Sequence, residues 1–130
     1  MFKEKRISTV SAGFPSPADN YVEEKLNLNN HLIKNKESTF FVRVSGDSMI
    51  NVGIFDNDIL VVDKSLTPKK QSIVIASIEG ELVVKKLIKD DKSKNYYLKS
   101  ENNNYSNIKL SSHLDTIIWG VVTYTIHKLI

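Results

Sequence analysis

From Thr39 onward the chain is written as short apolar runs separated by polar turns, and that punctuation limits what it can fold into. Phe40, Val42 and Val44 alternate with Phe41, Arg43 and Ser45, the period-2 signature of a strand whose successive side chains point to opposite faces. Further apolar runs follow at residues 59–62, 73–78, 82–88, 96–98 and 117–126. Turn chemistry separates them: Asp56-Asn57-Asp58, Thr67-Pro68, Glu79-Gly80, Lys89-Asp90-Asp91-Lys92 and residues 101–104, all rich in the residue types that bend the backbone. Glu79-Gly80 joins two apolar runs so tightly that residues 72–88 read as a β-hairpin. The strands do not alternate with helices, which disfavours a parallel α/β sheet. The expectation is a mostly β domain, a sandwich or barrel of short, largely antiparallel strands.

The first 26 residues have a different character. Residues 1–20 include Gly13, Pro15, Pro17 and several small side chains, which predicts an extended arm outside the core. Asn27 is placed to cap a short helix through about Asn35, with Leu28, Leu32 and Ile33 on its apolar side. The expected division is an arm over 1–26 and a β domain over 27–130.

Composition narrows the chemistry. The chain has no cysteine, so disulfides, a thiolate nucleophile and Cys-based zinc sites are excluded. The formal net charge of +3 comes from 18 Lys+Arg against 15 Asp+Glu. Lys3, Lys5 and Arg6 against Glu4 account for much of it, leaving 15 against 14 beyond residue 12. So small an excess attracts phosphate weakly, and direct sequence-specific DNA binding is not expected. Residues 1–12 lack the apolar stretch of a secretory signal. The longest apolar run, residues 117–122, falls far short of the roughly 20 residues that span a bilayer. A soluble, cytoplasmic protein without membrane contact is expected.

Three segments carry possible chemistry. Ser45-Gly46-Asp47-Ser48-Met49 follows a strand directly. Glycine and aspartate there end the strand and turn the backbone, leaving Ser48 at its edge; a plain solvated turn would have the same composition. Val83-Val84-Lys85-Lys86-Leu87 sets two lysines inside an apolar strand. Adjacent residues face opposite sides, so if both faces are covered one amine is pushed toward a dry environment and a lowered pKa. Moving a lysine from about 10.4 to about 7 is worth roughly 4–5 kcal/mol, which the rest of the fold must supply. An edge strand whose lysines reach back to water is the competing explanation. Lys85 shares its face with Glu81, Val83 and Leu87, and Lys86 shares the more apolar face of Leu82, Val84 and Ile88; periodicity alone favours Lys86 as the buried one. The third segment, Ser11-Ala12-Gly13-Phe14-Pro15, offers a narrow peptidase pocket a small side chain followed by glycine.

Taken together, these segments resemble the LexA/UmuD family of self-cleaving proteins, over nearly the whole chain from about Ala12. Ala12-Gly13 resembles the family's cleavage bond, and Phe14-Pro15-Ser16-Pro17-Ala18 is close to the stretch just past that bond in the UmuD branch. Residues 45–49 match the nucleophile motif. Gly53-Ile54 with Asp56-Asn57-Asp58 resembles the turn after it, with Asn57 where glycine is usual. Val84-Lys85-Lys86-Leu87 matches the catalytic-lysine strand, and the family's functional lysine corresponds to Lys85, against the periodicity. The separation of 37 residues between Ser48 and Lys85 suits a UmuD-like protein.

The resemblance implies Ser48 as nucleophile, Lys85 as general base, an oxyanion site from the backbone N–H groups of Ser48 and Met49, and no metal or cofactor. It further implies a homodimer, stimulation by a RecA filament on single-stranded DNA, and a processed form working with a UmuC-like Y-family polymerase in error-prone lesion bypass. Twelve residues before the cleavage bond are too few for a helix-turn-helix, which turns the expectation from a repressor toward the UmuD branch. A stand-alone regulator or anti-repressor, and a non-catalytic dimerisation module of the same fold, are the alternatives. A signal-peptidase-like enzyme would need a membrane anchor. His31, His113 and His127, with Asp115 beside His113, show neither triad nor ligand spacing and read as loop or surface residues. Asp56-Asn57-Asp58 lacks the glutamate of a calcium loop and reads as a turn.

Overall fold

The structure is a computed structural model that describes residues 7, 9–14, 25–102, 107–110 and 116–130. The chain divides into two compact units, residues 1–31 and 32–130. In the first, Ala12, Gly13 and Phe14 form an exposed bend in which the Gly13 N–H donates to Ser11 Oγ at 3.2 Å. Helix α1, Leu28–Leu32, starts after Asn27, whose Oδ1 accepts the Asn30 N–H at 3.3 Å. The cap is where the sequence puts it, but the helix stops three residues before Asn35 because the chain turns there into a 3-10 turn at Lys36–Ser38.

The second unit is built on strands β1 Thr39–Arg43, β2 Ile59–Asp63, β3 Ile73–Ile78, β4 Glu81–Lys89, β5 Tyr96–Lys99, β6 Ile108–Lys109 and β7 Thr116–Ile126. They form one seven-stranded sheet in the order β1-β2-β7-β3-β4-β5-β6, and every pairing is antiparallel. The mostly β, antiparallel expectation holds. The Glu79-Gly80 hairpin is present, with Ile78 opposite Glu81. Both turn residues have positive φ, 51° and 83°, the backbone that matches the twist of a two-residue hairpin.

Apolar side chains cover both faces of the sheet. Leu60, Val62 and Ile75 join Val44, Met49 and Ile54 in one core cluster, while Val74, Ala76, Leu87 and Leu98 form another. On β3 the two sets alternate residue by residue, as the pleat requires. The sheet is strongly curled. Neighbouring strands lie about 4.8 Å apart, so a flat sheet would hold β1 and β4 roughly 19 Å from each other. Instead Val42 of β1 and Val84 of β4 line one cavity. Register shifts at Val61/Val62 and at Ile75/Ala76, both against β7, are bulges that bend and twist the sheet locally.

Candidate active site

Ser48 lies in the connection between β1 and β2, after the backbone has been redirected at Gly46 (φ 100°), a left-handed conformation that disfavours any side chain. The turn is fixed from several sides. The Gly46 N–H donates to Asp56 Oδ1 at 2.8 Å. Val44 N–H donates to the Asp58 carbonyl and Asn57 N–H to the Val44 carbonyl, both at 2.8 Å. Met49, 1% exposed, packs into the first core cluster and pins the residue after Ser48. Asn57 adopts φ 74°, so asparagine fills a position suited to glycine. Its carbonyl and Oδ1 both accept from Arg43 Nη1 at 3.0 Å. Asp58 is buried, which alone would raise its pKa, yet the Phe55 N–H and the contact with His127 bring it below the usual carboxylate value. Asp56-Asn57-Asp58 is thus a structural turn, and His127 is its partner. His113 and Asp115 lie outside the described residues, as do Pro15 to Ala18.

The two lysines of β4 are treated differently by the fold. Lys85 is 9% exposed, on the face it shares with Val83 and Leu87, which pack with the second core cluster. Lys86 keeps 23% of its side chain exposed and pairs with Glu101 at 3.4 Å. Periodicity favoured Lys86 as the buried amine, and the structure reverses that choice. Counting apolar neighbours along one strand misses what covers each face from other strands. Burial pushes the Lys85 amine below the ordinary lysine value, because removing water penalises the charged form. Its Nζ donates to Ser100 Oγ at 2.5 Å.

Ser48 and Lys85 line the same cavity, of about 280 Å³, with Val42, Val44, Leu60 and Val84 among its apolar walls. A hydroxyl and an amine disposed toward its neutral form therefore border one small, mainly apolar space, the combination a serine–lysine acyl transfer requires. Sequence reading missed the segment after β5. The Asn51 N–H donates to the Glu101 carbonyl at 2.9 Å, and Asn102 Nδ2 donates to the Asp47 carbonyl at 3.1 Å. The signal that could have found it is the register of β5 on β4, which composition does not display. Among the described residues no cluster of His, Asp or Glu could hold a metal, and no helix is long and apolar enough to cross a membrane.

A family model described as Peptidase S24-like matches residues 5–123. Protein MucA of Salmonella typhimurium is 39% identical over 121 residues, covering 92% of this chain and 81% of that protein. Protein ImpA of Salmonella typhimurium is 49% identical over 77 residues, or 59% of this chain and 53% of that protein. The LexA repressor of Shewanella denitrificans is 38% identical over 104 residues, 80% of this chain and 49% of that protein. The chain belongs to the Peptidase S24-like family. It falls within the LexA/UmuD group that its motifs resemble, on the UmuD side.

Proposed function

We propose that this chain is a self-cleaving serine peptidase that cuts its own Ala12-Gly13 bond. The observation that carries the reading is the shared cavity of Ser48 and a buried Lys85 whose charged form is disfavoured. Neutral Lys85 takes the proton of Ser48 Oγ as that oxygen attacks the Ala12 carbonyl. Backbone N–H groups of Ser48 and Met49 receive the developing oxyanion. The tetrahedral intermediate collapses, the C–N bond breaks, and protonated Lys85 returns its proton to the Gly13 amine. Water, deprotonated by the same amine, then releases the acyl-enzyme and gives fragments 1–12 and 13–130. In the family context of MucA and ImpA, the larger fragment serves, as a homodimer, a Y-family polymerase in error-prone lesion bypass, with a RecA filament on single-stranded DNA stimulating the cut.

The test is incubation of the purified chain at mildly alkaline pH with mass spectrometry of the products. Slow conversion to a fragment beginning at Gly13 is expected, absent in Ser48→Ala. A mass that stays intact, even with RecA, ATP and single-stranded DNA, refutes the peptidase reading.

A further inference from the structure

The segment that follows β5 reaches the proposed base and the turn that carries the proposed nucleophile through buried polar side chains. The antiparallel register sets Lys86 opposite Lys99, so the next step brings Ser100 alongside Lys85. Ser100 is 3% exposed, and its Oγ accepts the Lys85 Nζ–H at 2.5 Å. Two residues on, Asn102 is 8% exposed and its side-chain amide donates to the carbonyl of Asp47, the residue before Ser48. Between them, the Glu101 carbonyl accepts the Asn51 N–H and the Glu101 carboxylate holds Lys86, so the segment is tied down on both sides. Buried polar groups are costly unless bonded, and here the bonds run to the nucleophile turn and to the base.

We infer that Ser100 and Asn102 are positioning residues for the dyad, Ser100 orienting the Lys85 amine and Asn102 holding the Ser48 turn at its place in the cavity. The inference rests on the serine–lysine reading. A neutral amine has one lone pair, and it acts as a base only when that lone pair is aimed at the Ser48 hydroxyl. The four-carbon lysine stem leaves the amine free to rotate, and an N–H anchored on Ser100 Oγ removes that freedom. Ser100 accepts from the amine, so it also stabilises the ammonium form. Asn102 donates to the Asp47 carbonyl, so its assigned role is to place the nucleophile turn. Among the described residues, the charged groups around the cavity and its adjoining segments are Arg43, Asp47, Glu81, Lys86, Lys99 and Glu101. None of them is altered by either substitution.

The two roles have different signatures. In the uncleaved Ser48→Ala chain, Lys85 is titrated by NMR of its labelled side chain, with and without Ser100→Ala. Losing an acceptor to the ammonium moves the midpoint down by about one pH unit. In the chain with Ser48 intact, Ser100→Ala shifts the alkaline rise of the cleavage rate downward by the same interval, while the plateau falls about 10- to 100-fold from misplacement. Asn102→Ala lowers the plateau by a similar factor and leaves the pH of the rise unchanged. Urea midpoints of both variants check that they remain folded at the assay temperature. If the wild type cleaves but Ser100→Ala leaves both the Lys85 midpoint and the pH of the rise unmoved, this inference fails and the peptidase reading stands. A lowered plateau with an unmoved rise overturns it equally, and an unchanged plateau in Asn102→Ala removes that residue's role. A wild type that never cleaves overturns the peptidase reading and leaves nothing for these residues to position.

Discussion

Asp63 and Lys85 are buried to similar degrees, 4% and 9% exposed, yet the fold treats their charges in opposite ways. At the end of β2 the Asp63 carboxylate accepts from Asn35 Nδ2 at 2.8 Å, Ser65 Oγ at 2.7 Å, Ser38 Oγ at 2.8 Å and the Ser65 N–H at 2.9 Å. Those donors, the Asn35 amide foremost, hold the carboxyl far below its usual pKa despite burial. On β4, burial of Lys85 outweighs what its neighbours return, and the charged form is the one disfavoured. A buried charge surrounded by donors is a fastening. A buried amine without such compensation is pushed toward its neutral form, the form that can accept a proton. Burial alone does not separate the two; the donor set does.

The largest effect expected from this contrast is catalytic. Lys85→Ala lowers the cleavage rate by about 10³-fold or more, to below detection by mass spectrometry, while Lys86→Ala stays within a few-fold of wild type. The reverse pattern would move the general base to Lys86. Next comes stability. Asp63→Ala leaves the donors of Asn35, Ser38 and Ser65 without their acceptor and costs about 3 kcal/mol in urea unfolding. A cost below about 1 kcal/mol would show that the cluster is not a fastening.

The pH dependences have a shared direction and different windows. Asp63 has a depressed folded pKa, so its contribution is present above the unfolded value near 4 and is lost as pH falls through the folded value. Asp63→Asn flattens that acid limb of urea stability. Lys85 is also depressed, but as a cation its neutral form is the one the fold favours. The unfolded chain then binds more protons between the lowered folded pKa and about 10.4, so stability rises with pH across that window. Lys85→Met removes this alkaline rise, and an unaltered rise would mean the amine is well solvated. The smallest effect is Ser65→Ala, which takes the hydroxyl donor from Asp63, keeps the backbone one, and lowers stability by about 1 kcal/mol. A loss as large as that of Asp63→Ala would mean that a single hydroxyl carries the cluster.

Much of the strand plan was legible because the longer strands have apolar runs long enough to show their period. Only two residues long, β6 (Ile108–Lys109) has no period to read. The expected helix through Asn35 is shorter because Asn35 is recruited by Asp63 and Ser65, a long-range demand that local propensity does not register. Lys86 looked the better buried lysine because its own strand neighbours are more apolar, whereas the second core cluster covers the face of Lys85. Ser100, Glu101 and Asn102 read as turn composition until the β4–β5 register brings Ser100 to the amine.

The sequence by itself determined that the longer apolar runs between Thr39 and Ile126 form strands, that Gly46 turns the chain just before Ser48, and that two lysines sit inside an apolar strand. These are local matters of period, propensity and backbone freedom. Which amine is dry, which hydroxyl it meets and which carboxylate is fastened came only with the tertiary structure. Desolvation and hydrogen bonding depend on what other strands bring to a side chain, and the curl of the sheet brings β1 and β4 to one cavity.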